Sequence, residues 1–249
     1  MRQHLAGIDL IIYLWYSVRV MMAERPEHEP IPKPTTLEDA LEVIEMLHVA
    51  LAQKDAEAQR DPLIQTMLHK TATHHLIERR VEEGRPFGIF LIDLNNFKSV
   101  NDTIGHAKGD ELLVSFGQHL RKGFRRETDE ISLMSEPEQG RVGGDEFVVI
   151  VGLSKNQRRE NNLHSQTDKL YYLLREIEES FLEDNPDAAD LGVGLSIGAA
   201  VFNPAHPVDA ATLYDMADEA MYEEKGTFHA GLQPYTLATI QSDARTTAL

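Results

Sequence analysis

Three short apolar runs, FGIFLID at residues 87–93, EFVVIVG at 146–152 and GVGLSIGAAVF at 192–202, constrain this chain more than any other feature. Stretches of this length, rich in β-branched and aromatic residues and bounded by glycine or acid, read as buried strands. Between them the spacing turns helical. GDELLVSFGQHLRKGF places Leu112, Leu113, Phe116, Leu120 and Phe124 on one helical face, and further helices are expected within residues 162–182 and from Asp209 to about Lys225. RRETDEISLMSEPEQG has no clear period and is expected to be a loop, and a weak last strand is expected near residues 234–240. Strands and helices alternating in this way imply a sheet with helices packed across it.

Two of the strands carry acid at their mouths. Asp93 closes the first, and Asp145 with Glu146 opens the second, directly after Gly143 and Gly144. A glycine pair gives the backbone access to positive φ, so RVGGDEFVVIV is expected to form a tight hairpin with the acids at its tip. Neighbouring strands lie about 4.8 Å apart, which lets a carboxylate from a strand end and another from a hairpin tip meet on one ion. Close carboxylates repel unless a cation sits among them. An all-oxygen donor set selects a hard ion such as Mg²⁺, which binds through one or two carboxylates together with substrate phosphates. The same turn, taken alone, is also an ordinary way to close a hairpin. What favours the metal reading is the segment that begins at Asp93, DLNNFKSVNDTIGHAKGDELL, which sets Lys98, Asn101, Asp102, His106 and Asp110 on a short helix, a glycine turn and the start of the next helix. Asn and Asp side chains together offer a donor pair and an acceptor pair suited to the edge of a guanine, and Lys98 can give a point charge to a phosphate.

The 249 residues suffice for one good-sized core and an extension. A formal charge of −17 argues against a nucleic-acid partner, because neutralising a duplex takes clustered Lys and Arg. An anionic small molecule remains compatible through a metal or a local cationic pair. With no cysteine, disulfides and thiolate metal sites are excluded, and a cytoplasmic setting is the expectation. LIIYLWYSV is too short for a hydrocarbon core that needs about 20 apolar residues. Residues 5–22 are therefore the one stretch that would carry any peripheral membrane association. ERPEHEPIPKPTT, with four prolines in thirteen residues, reads as an extended connector. After it, Thr36 and Asp39 make a capping-box-like start, and Leu37, Ile44, Leu51 and Ala58 recur every seven residues with Ala40 and Leu47 between them. Such a seam serves either to pair two copies or to pack a helix on its own domain.

The chain resembles the GGDEF family of diguanylate cyclases. RVGGDEF matches the name-giving signature unchanged, and DLNNFKSVNDTIGHAKGD is similar to the family's DxDxFKxxNDxxGHxxGD with Asn95 in place of the second acid. The likeness implies an α/β (α+β) fold akin to nucleotide cyclase and polymerase palm domains: a central, mainly antiparallel sheet flanked by helices, with an N-terminal helical extension. It implies condensation of two GTP into cyclic di-GMP with release of two pyrophosphates. Asp93, the main-chain carbonyl of Leu94 and Asp145 would ligate Mg²⁺, or Mn²⁺ in its place, with Glu146 assisting, and Asp145 would serve as base for the attacking 3′-hydroxyl. Asn101, His106 and Asp110 fall on guanine and substrate positions, and Lys98 and Lys225 on phosphate-contacting ones. Each domain would hold one GTP, so a homodimer through the N-terminal helix is implied. The expected organisation is an apolar segment and Pro-rich linker over residues 1–35, a signalling helix over 36–60, a catalytic domain over 61–240 and a tail over 241–249.

The sequence departs from the family pattern at three places. The opening DxLTGLxNR appears as DPLIQTMLHK, which keeps Asp61 and Leu63; His229 stands where an arginine is usual; and Arg126 and Asp129 have the spacing of the family's product-inhibition motif but lie about eight residues upstream of its usual place. These last two are either a displaced inhibitory site for cyclic di-GMP or a chance pattern in a charged segment. Two other readings stand beside the cyclase: a module that has lost turnover and signals by binding GTP or cyclic di-GMP, and a nucleotidyl cyclase of different base preference.

Overall fold

A computed structural model describes residues 37–131, 137–153 and 162–229. The strand expected near 234–240 and the segments 1–36 and 241–249 lie outside these. The chain divides into two compact units, 1–58 and 59–249.

The first unit contributes helix α1 (Leu37–Ala58), whose first turn carries Glu38 and Asp39 at the electropositive end of the helix dipole. Leu41, Met46, Val49 and Leu51 are each more than half exposed along it. Of the heptad seam, Ile44 is half-buried while Leu51 and Ala58 are exposed, and the side chains of Leu37, Ala40 and Leu47 are outside the description.

The second unit runs β1 (Leu68–His69), α2 (Lys70–Glu83), β2 (Phe87–Asn95), α3 (Phe97–Ile104), α4 (His106–Ile131), β3 (Glu138–Arg141), β4 (Glu146–Gly152), α5 (Asn162–Asp184), α6 (Pro186–Asp190), β5 (Gly194–Phe202) and α7 (Ala210–His229). The strands form one sheet in the order β1-β3-β4-β2-β5, parallel between β1 and β3 and antiparallel elsewhere. The expected α+β architecture with a mainly antiparallel sheet is what the chain forms. All nine residues of β2 are buried because helices cover both faces. Phe90, Ile92 and Leu94 pack with the α4 and α5 residues Leu113, Phe116, Leu120, Leu174 and Phe181. Phe87, Ile89 and Leu91 point the other way, to Leu76 and Ile77 of α2 and Leu213, Ala217 and Met221 of α7. Because side chains alternate along a strand, Asp93 continues the α2/α7 face of β2.

The structure differs from the sequence expectation at two places and adds one helix. The segment after Phe124 is not simply a loop: α4 continues to Ile131 and β3 starts at Glu138. The residues of β3, EQGR, have little strand propensity of their own, and it is ladder pairing with β4, Glu138 opposite Ile150 through Arg141 opposite Phe147, that makes them a strand. Helix α2 has no counterpart among the expected elements; it is capped by the His69 ring, which accepts from the Ala72 amide at 3.2 Å, and it stops at Gly84 in the left-handed region. Finally, the glycine pair does not use positive φ, which among the described glycines belongs to Gly84, Gly105 and Gly192.

Candidate active site at the mouths of β2 and β4

The hairpin tip sits where the sheet ends. Val142 and Gly143 both donate to the Glu146 carbonyl, at 3.0 and 3.4 Å, and the Leu94 amide donates to the Asp145 carbonyl at 3.1 Å, which ties the tip to β2. Gly143 leaves room for the Glu146 carboxylate, which a Cβ there would displace. At Gly144 a Cβ would meet nothing within 4 Å, so this part of the tip is open. Arg141 braces it from behind. Its Nε and Nη2 donate to the Gly144 carbonyl at 3.1 and 2.8 Å, and its Nη1 reaches Asp61 Oδ1 at 3.3 Å. Asp61, the retained acid of the altered opening segment, also accepts the amides of Leu63 and Ile64 at 3.0 and 2.8 Å, and Ile64 and Met67 of that segment are buried in the core.

Asp93 lies opposite Glu146 on one side and Ser196 on the other. It is only 4% exposed. Lys225 of α7 places Nζ 2.8 Å from each carboxylate oxygen. Only Oδ2 receives it in hydrogen-bond geometry, so Oδ1 is buried without a hydrogen-bond partner. Lys225 reaches Asp93 because α7 lies directly on β5: a Cβ on Gly198 would meet Met221 Cβ at 2.7 Å. Next along β2, Asn95 does not imitate the acid it replaces; it is buried and exchanges hydrogen bonds with Ser196 Oγ, at 2.8 and 3.1 Å. Burial and the neighbouring Asp93 charge push the Asp145 carboxyl above the usual range, against the pull of Lys225 and Arg141. Glu146 is raised by burial, then by Asp93, Asp145 and Asp218, with Lys70 acting in the opposite sense. Burial beside Glu146 and Asp218 raises Tyr214 to about 12.

Among the described residues no three acids or histidines converge in ligand geometry. The donor set on offer is narrower. It comprises the Asp93 carboxylate, one oxygen of which has no hydrogen bond, Asp145, and the Leu94 carbonyl, which shares a strand edge with the amide bonded to the tip. A pair of carboxylates and a carbonyl fits a Mg²⁺-type ion that keeps its other positions for water and phosphate. The mutual repulsion already felt by Asp145 and Glu146 is what such a cation would relieve.

The second group of expected residues follows β2 directly. Asn96 turns the chain at φ 60° and donates to the Gly192 carbonyl at 2.8 Å, α3 carries Lys98 and Asn101, Gly105 turns again at φ 92°, and α4 starts with His106 and Asp110. His106 and Asp110, four apart, share a helix face. Asn101 comes to them through Gly109, where a Cβ would land on its carboxamide oxygen and would meet the Phe97 ring at 3.2 Å. Lys98, His106 and Asp110 are exposed. Two contributors escaped the sequence reading: Arg141, hidden inside the signature, whose Nη1 reaches Asp61 far away in the chain, and Lys70 at the start of α2, whose charge acts on Glu146. Arg126 and Asp129 fall within α4 and His229 within α7, with side chains outside the description.

Residues 58–229 match the family model described as "Diguanylate cyclase, GGDEF domain". Diguanylate cyclase DgcS of Shewanella oneidensis is 33% identical over 153 residues, covering 61% of this chain and 43% of that protein. The probable diguanylate cyclase DgcT of Escherichia coli is 29% identical over 227 residues, covering 90% of this chain and 45% of that protein. The chain thus spans less than half the length of these curated relatives. In fold it is similar to the coiled coil and GGDEF domain of DgcB from Caulobacter crescentus, solved in complex with c-di-GMP, at a TM-score of 0.57 and 21% identity over 81% of this chain and 97% of that one.

Proposed function

The chain belongs to the diguanylate cyclase GGDEF domain family, and from that premise we propose that it condenses two GTP molecules into cyclic di-GMP with release of two pyrophosphates. The observation that carries this is the buried Asp93 carboxylate, facing Glu146 across the ladder and ion-paired with Lys225, with one oxygen lacking a hydrogen bond at the foot of the hairpin. Asp93, the Leu94 carbonyl and Asp145 would hold Mg²⁺ or Mn²⁺, with Glu146 assisting. The ion supplies charge neutralisation to the triphosphate.

The chain's own residues do the rest. Asn101 and Asp110 take the guanine edge, with His106 beside them, and Lys98 and Lys225 meet phosphate oxygens. In each half-reaction the 3′-oxygen of one GTP bonds to the α-phosphorus of the other and the α–β bridging bond breaks. Pyrophosphate then leaves, and the 3′-proton passes to the Asp145 carboxylate. At the hairpin tip beside Asp93, Asp145 would be held ionised by the bound cation, the form a base requires. Positioning and charge account for most of such a transfer. One domain holds one nucleotide, so two copies must face each other, and the exposed apolar residues of α1 support the N-terminal helix as their link.

Incubation with GTP and Mg²⁺, with cyclic dinucleotide as the readout and ATP as competitor, tests the proposal. Product is expected from GTP and not from ATP, and Asp145→Ala is expected to abolish it while circular dichroism stays unchanged. Tight GTP binding without product would support the binding module, and product from ATP would support the altered base preference.

A further inference from the structure

Glu224 is a buried carboxylate that the chemistry above does not use. It stands on α7 in a stripe with Met221 and Phe228, the face that rests on β5; a Cβ on Gly194 would meet Phe228 Cζ at 3.0 Å. A carboxylate in such a stripe is tolerated only when paired.

Arg175 of α5 pairs it. Nη2 of Arg175 donates to Glu224 Oε1 and, at 2.9 Å, to Tyr171 Oη, while Nη1 donates to Glu178 Oε2 at 2.6 Å and to the Leu195 carbonyl at 3.1 Å. Tyr171 Oη donates in turn to Glu224 Oε2 at 3.1 Å, and Glu178 Oε1 accepts the Leu195 amide at 2.6 Å. Side chains of α5 therefore satisfy both main-chain groups of Leu195 on the outer edge of β5, and the same guanidinium holds α7. Leu195 precedes Ser196, the register partner of Asp93. Glu224 precedes Lys225, the ion-pair partner of Asp93.

We propose that Arg175 is a positioning residue: through Glu224 and Leu195 it sets Lys225 and Ser196 around Asp93 without touching the site itself. Consecutive helical side chains are about 100° apart, so a roll of α7 that freed Glu224 would swing Lys225 off Asp93. The effect expected on turnover rests on the cyclase reading; the effect on the ion pair does not.

Amine labelling of the intact protein, read lysine by lysine by mass spectrometry, tests this. In Arg175→Met and in Glu224→Gln, Lys225 is expected to react about two- to fivefold faster, the range covered by partly exposed ion pairs. Lys70 and Lys98 should react as in the unaltered protein, and KM for GTP should rise more than kcat falls. Ile177→Val, which trims a buried α5 side chain outside the network, should lower the melting temperature and leave both readouts in place. Tyr171→Phe, which keeps the ring and removes the hydroxyl's two hydrogen bonds, to Glu224 and from Arg175, carries the same expectation for Lys225 if Arg175→Met does not fold. An unchanged Lys225 rate in a folded variant, or equal acceleration in Ile177→Val, would overturn the proposal. Faster Lys225 labelling in a protein that makes no cyclic dinucleotide would uphold the positioning role and sink the cyclase reading instead.

Discussion

Asp145 and Glu146 are held in surroundings that disfavour their charge, and this has opposite consequences for stability and for rate. Both pKa values lie above those of the unfolded chain, by burial first and by neighbouring acids second. A raised carboxyl contributes stability that is fully present below the unfolded value and is lost as pH rises through the folded one. At neutral pH the ionised pair therefore opposes folding. Asp145→Asn is expected to raise the melting temperature by about 1–2 °C, the yield of a few tenths of a kcal/mol in a chain of this size after allowing for solvent screening, while removing product. Thermal scans with and without Mg²⁺ check it: the ion should raise the melting temperature of the unaltered protein more than that of the variant. The rate runs the other way, because the base must be ionised. The acid limb of the pH–rate profile should move to lower pH as Mg²⁺ is raised, because the cation favours the ionised carboxylate, and a limb that does not respond to Mg²⁺ would remove Asp145 from the metal site.

Between elements, the site depends on contacts that hold backbone rather than substrate. The Arg141 fork joins the Gly144 carbonyl to Asp61, so the opening segment and the hairpin tip form one unit although most of the opening motif has changed. Lysine cannot reproduce a planar fork. Arg141→Lys is expected to cost about 1–2 kcal/mol in denaturant unfolding, with reduced turnover, from the loss of charge-assisted bonds to a carbonyl and a mostly buried carboxylate. Gly109 holds α3 against α4 through Asn101. Gly109→Ala should displace that carboxamide, cost about 1–3 kcal/mol by overpacking and weaken GTP binding, measured by calorimetry. Equal GTP affinity in that variant would show that Asn101 does not read the nucleotide.

Across the whole molecule, the proposed reaction needs two nucleotides and therefore two domains. Specific activity should fall on dilution, following the dimer fraction by mass action, and an activity per chain that stays constant to the lowest concentration would point to a different reaction. No helix among the described residues is long and apolar enough to cross a membrane.

Part of the fold and of the site is written in local sequence. The buried strands, the amphipathic α4 and the acids at two strand mouths are local facts, because burial on both faces and helical period write themselves into neighbouring residues. The two motifs identified the family for the same reason. Strand β3 could not be read, since EQGR becomes a strand only by pairing with β4, and α2 lacked a broad apolar stripe. The service of Arg141 to Asp61, eighty residues away, of Lys225 to Asp93, and of Arg175 to Glu224 was decided by tertiary structure alone. Sequence determined which groups could carry the chemistry. Only the folded sheet, by setting β2 between β4 and β5 and laying α7 across them, determined which of those groups meet, because a charge finds its partner through space and not along the chain.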